Sequence, residues 1–70
     1  MNKKVLLVLK DVLDEKGVTR YELAKRTGVP FPTIDRYYKN KNDRYDTDIL
    51  LRICLALGCE VGDIMKIKEV

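Results

Sequence analysis

Thr19-Arg20-Tyr21-Glu22-Leu23-Ala24-Lys25-Arg26-Thr27-Gly28-Val29 is the stretch that decides how this chain folds. It opens on Thr19 with Glu22 three positions later, the spacing of a capping box. The threonine hydroxyl accepts from the amide three residues on, and the glutamate reaches back to the threonine amide. Leu23 and Ala24 follow on the inner side, so the pattern predicts a helix from Arg20 to about Thr27. Gly28 stands where a left-handed backbone is cheap only for glycine. Val29 can then drop into a core.

Downstream, a second helix is expected close behind, from about Phe31 to Asn40. Pro32 suits its first turn, where a missing amide proton costs nothing. The residue before a proline resists helical geometry, which allows a start at Pro32 instead. Ile34 and Tyr37 form its apolar side; of Tyr37 and Tyr38, one is expected in the core and the other exposed. The polar stretch from Lys39 to Tyr45 reads as a loop. Asp46 or Thr47 can cap a further helix with Leu50, Ile53, Cys54 and Leu57 on one face, and Gly58 stops it. Val61, Ile64 and Met65 allow one more turn, opened by Glu60 and Asp63. From Met65 to Val70 apolar and polar residues alternate, which admits a short terminal strand.

Upstream, Val5, Leu9, Val12 and Leu13 fall on one helical face and Lys10, Asp11, Asp14 and Glu15 fall away from it. Gly17 ends that helix. Leu6 and Val8 lie off the face, so either a partner buries them or the first residues are extended. The sum is an all-α chain of five short helices in a single domain over residues 1–70, with the paired helices at about 19–40.

Seventy residues, 46% of them apolar, can build one small core without metal or disulfides. Cys54 and Cys59 are too few for a disulfide framework and read as reduced core cysteines. With no histidine and no second cysteine pair, no metal or other cofactor is expected. The run Val5-Leu6-Leu7-Val8-Leu9 is far short of the roughly 20 residues that span a bilayer, and no secretory leader is evident, so a cytoplasmic location is expected. Catalysis would need a nucleophile with a base, or a glycine-rich phosphate loop, and neither is found, so the chain is not expected to be an enzyme.

Charge is unevenly spread. From Lys16 to Arg44 eight cations face three acids, whereas outside that stretch six cations face eight acids. The middle of the chain therefore suits a polyanion. Two helices joined by a glycine turn, in a basic setting, have the geometry in which one helix crosses the phosphate backbone and the next enters the major groove.

The segment from Thr19 to Val29 resembles the Cro/repressor (Xre-like) helix-turn-helix family, whose domain is lambda-repressor-like. Residues 53–65 (Ile53-Cys54-Leu55-Ala56-Leu57-Gly58-Cys59-Glu60-Val61-Gly62-Asp63-Ile64-Met65) look like that family's fourth and fifth helices. More narrowly, the chain is similar to small stand-alone Gram-positive regulators, and the resemblance spans about residues 3–66. It implies sequence-specific binding of double-stranded DNA by a transcriptional regulator acting as a homodimer, with no small-molecule ligand evident. By the same resemblance Arg20 touches phosphate, Phe31, Pro32 and Arg36 face base edges, and Thr33 lies beside them near the backbone. Lys39, Lys41 and Arg44 meet the second strand's phosphates. Tyr21 either packs on the core or touches a phosphate. Dimers in this family commonly use the C-terminal region; Ile64, Ile67 and Val70, or Leu6 and Val8, are the apolar residues available.

The departure is Pro30-Phe31-Pro32, where the family has a polar cap and hydrogen-bonding residues. Two prolines donate nothing, and Phe31 offers only apolar contact, such as to a thymine methyl. Base readout then rests mainly on Arg36. An exposed Phe31 also fits a second reading, a protein-interaction module on the same fold. A third place for the ring is the core.

Overall fold

The computed structural model describes residues 2–69. In order, the elements are β1 (Lys3–Leu7), α1 (Leu9–Lys16), α2 (Arg20–Thr27), α3 (Phe31–Tyr38), α4 (Thr47–Leu57), α5 (Val61–Ile64) and β2 (Met65–Glu69). The five expected helices are present, and so is the terminal strand.

Local chemistry explains the helix ends. At α2 the Glu22 amide donates to Thr19 Oγ1 at 3.1 Å, and the Thr19 amide donates to Glu22 Oε1 at 3.2 Å. Gly28 closes the helix at φ +72°, its amide donating to the Ala24 carbonyl. Thr27 braces the turn: its hydroxyl donates to the Leu23 carbonyl at 2.8 Å and accepts from the Val29 amide at 3.2 Å. Three residues therefore carry the chain from α2 to α3. Pro32 sits in the first turn of α3, which begins at Phe31. Asp46 is the cap of α4, its carboxylate accepting from the Asp48 and Ile49 amides at 2.8 and 3.2 Å.

The core joins every helix. Leu9, Leu13, Leu23, Ile34, Ile53 and Ile64 are fully enclosed, and Leu7, Val29, Tyr37, Leu50, Cys54 and Leu57 complete it. α2 packs against both α3 and α4, and α3 also meets α1, so the two helices of the turn are held from both sides. Both cysteines are free; Cys54 is buried, and burial, with Cys59 beside it, pushes its thiol up to about 11.

Two boundaries differ from the sequence reading. The first helix starts at Leu9 and not at Val5, because Lys3–Leu7 pairs antiparallel with Met65–Glu69. Val5 lies opposite Ile67 and Leu7 opposite Met65. The extended alternative for the first residues is the one adopted, since an aliphatic run carrying a β-branched valine gains a full ladder by pairing with the alternating tail. The second boundary is the end of α3 at Tyr38. Asn40 takes a left-handed φ of 57°, and its side chain turns back to β1. Its Oδ1 accepts from the Leu7 amide at 2.8 Å and its Nδ2 donates to the Leu7 carbonyl at 3.0 Å. One amide thus ties the end of α3 to the sheet.

Candidate nucleic-acid interface

The nine residues singled out in the sequence divide into a clamped group and a free group. Arg20, the first residue of α2, does not extend freely. Its guanidinium donates to the Asp35 carboxylate on α3 and lies 4.5 Å from the Tyr38 ring centre and 6.0 Å from that of Phe31. Lys39 joins from the end of α3, with Nζ 3.1 Å from Asp35. The lysine, and after it the arginine, hold the Asp35 carboxyl below the usual carboxylate range, against partial desolvation. Arg20 therefore fixes α2 against α3 through Asp35, and Lys39 pairs with the same carboxylate from within the end of α3. Asp35 was not singled out from the sequence. Its four-residue spacing to Lys39 was readable there, whereas its partner Arg20 meets it only through the tertiary fold.

Tyr21 and Phe31 form the second feature. Their rings stack at 4.3 Å between centres with 13° between planes. Tyr21 is 70% exposed, so it is not a core residue. Phe31 is half-buried and lies outside the core cluster. The tyrosine pair of α3 splits: Tyr37 is buried, with its hydroxyl accepting from the Asp46 amide at 2.9 Å, and Tyr38 is half-buried beneath Arg20.

Arg36 is the free group's centre. It is exposed, and its one side-chain hydrogen bond is to Thr33 Oγ1 at 3.3 Å, one turn back. Among the described residues no carboxylate pairs with Arg36, Lys41 or Arg44, in contrast to Arg20 and Lys39. Pro32 is exposed beside Thr33 on the first turn of α3. Lys41 and Arg44 sit on the loop between α3 and α4, anchored near its start by Asn40. The arrangement offers a helix end with rigid apolar rings, a free guanidinium one turn on, and a basic loop beyond it.

A family profile, the Cro/C1-type HTH DNA-binding domain, matches residues 8–69. The chain belongs to this family. Two solved structures carry the same fold over nearly their whole length. The transcriptional regulator VanUg is 27% identical with a TM-score of 0.78, covering 100% of this chain and 92% of its own. A candidate DNA-binding protein from Bacteroides fragilis is 28% identical with a TM-score of 0.79, covering 90% of this chain and 100% of its own. Among curated proteins none shows a significant match. In this Cro/C1-type domain no described helix is long and apolar enough to cross a membrane.

The apolar residues suggested for a dimer contact are only partly available. Ile64 is fully buried in the core and cannot serve, and Leu6 and Val8 are half-buried. Ile67 is 72% exposed, and Val70 lies outside the described residues. Sequence reasoning missed Leu51, Leu55 and Val61. All three are exposed around one groove between α4 and α5. The helical stripe of α4 pointed inward at Ile53 and Leu57, and an apolar residue off that stripe carries no signal of its own.

Proposed function

We propose that this chain is a cytoplasmic transcriptional regulator that binds double-stranded DNA sequence-specifically, with α3 in the major groove, and that it has no catalytic role. The carrying observation is Arg36: an exposed guanidinium, free of carboxylates among the described residues, on the outer side of the helix after the glycine turn. Such a group suits bidentate contact with guanine O6 and N7. Pro32 and Thr33, on the first turn of the same helix, suit the neighbouring base edges and backbone, while Lys41 and Arg44, with Arg20, Tyr21 and Lys39, suit the phosphates. VanUg, alike over its length, is itself a transcriptional regulator, which supports the regulatory half of this reading.

The binding form is a homodimer on two half-sites. Its support is the apolar surface left on the chain, Ile67 on β2 and Leu51, Leu55 and Val61 beside α5. Selection from a random duplex library at near-physiological salt tests the whole reading. Recovery of an inverted repeat with half-sites about one helical turn apart is the expected result. Recovery of no shared sequence would overturn it in favour of the protein-interaction module, which the stack of exposed Tyr21 on half-buried Phe31 makes the natural second reading.

A further inference from the structure

We infer that the stacked Tyr21 and Phe31 rings form a thymine-reading ledge, packing on the C5-methyl group of one thymine in each half-site. The inference rests on the DNA-binding reading above and adds to it a residue pair and a base. At the leading end of α3 the backbone and side chains of Pro30, Phe31 and Pro32 carry neither a side-chain hydrogen-bonding group nor, at the prolines, an amide donor. Apart from the Phe31 amide, these three residues offer the donors and acceptors of base edges no side-chain or amide partner. The single apolar feature that a base pair displays in the major groove is the thymine methyl.

The rings are built for that contact. Phe31 is not spent on the core, and Tyr21 covers it at 4.3 Å. Arg20 flanks the pair, itself held by Asp35 and Tyr38. A ring fixed before binding loses little freedom on contact. The surroundings also favour DNA over a protein. Arg20 lies beside the Phe31 ring, Lys25 and Arg36 add positive charge on the same two helices, and two rings offer far less than the ~800 Å² per partner of a stable protein interface.

The test is made on the DNA. Each thymine of the library-selected duplex is replaced in turn by deoxyuridine, which removes only the methyl group, and affinity is read by fluorescence anisotropy. The wild-type protein is expected to lose about fourfold at one thymine per half-site, the worth of one buried methyl. Phe31→Ala, and independently Tyr21→Ala, should bind more weakly and respond less to that replacement, a coupling a merely structural role would not produce. Equal affinity for thymine and uracil at every position, in a protein that still selects a shared sequence, overturns the ledge and leaves the regulator intact. An undiminished response in Phe31→Ala overturns it too and turns the ring towards a protein partner. Failure to select any sequence overturns both.

Discussion

Arg36 and Arg20 have the same side chain in opposite circumstances, and the difference sets what each does. Arg36 touches only a threonine hydroxyl, so Arg36→Ala removes little from the fold. Its expected cost is about 1–3 kcal/mol of specific binding. Competition assays should show a lost preference for the selected site over unrelated duplex, with the melting temperature nearly unchanged. Arg20 shares Asp35 with Lys39 and acts on the packing of α2 against α3. The cations hold the Asp35 carboxyl below its ordinary range. A carboxylate lowered in the folded state stabilises it fully above the unfolded pKa, and that stability fades as pH falls through the folded value. Asp35→Asn should therefore lower the melting temperature near neutrality. The gap to wild type should close as the solution is acidified below the usual carboxylate range. A gap independent of pH would assign the loss to packing instead.

At the scale of elements, the small sheet is the informative case, because its two strands come from opposite ends of the sequence. Asn40 supplies both a left-handed residue and two hydrogen bonds to Leu7. Asn40→Gly keeps the backbone and loses the bonds, whereas Asn40→Ala loses both. Chemical unfolding should rank wild type above glycine and glycine above alanine, the first step being about 1–3 kcal/mol. Across the ladder Lys4 faces Lys68, and like charges directly opposed weaken a pair. Lys68→Glu should add a few tenths of a kcal/mol up to about 1, and salt should erase the gain. These contacts also mark where the sequence stopped being legible. The capping box at Thr19, the Gly28 turn and the α4 cap are decided within four residues; the first two were readable, and the third was narrowed to Asp46 or Thr47. The pairing of Val5 with Ile67 spans the chain. A short aliphatic run reads equally as helix or strand until its partner is known. The site divides in the same way: the residue types on α3 were visible, but the clamp on Arg20 and the Tyr21–Phe31 stack exist only once α2 and α3 are packed.

For the molecule as a whole, charge placement is the quantity that acts at a distance. The cations from Lys16 to Arg44, all but Lys16 at the end of α1, fall on α2, α3 and the loop after it, while most of the acids outside that stretch lie on α1, around the start of α4 and on α5. The chain thus carries a basic side built around one helix-turn-helix, and the rest compensates. Binding through such a side releases counterions, so log K falls with log salt by about 0.9 per phosphate neutralised on duplex DNA. Lys41 and Arg44 are free of carboxylate partners among the described residues, and both lie on the loop beyond α3. Removing either as alanine should lower affinity for specific and unrelated duplex alike and reduce the salt slope by about one. Lys39 is already paired with Asp35, so Lys39→Ala should change the slope less than either. Titrations at four or five salt concentrations, on the selected site and on a scrambled one, separate these cases. If Lys39→Ala reduced the slope as much as Lys41→Ala, the lysine would have to leave Asp35 on binding. Arg20 would then be the sole cation holding that carboxylate in the complex, and the clamp between α2 and α3 would rest on that one pair.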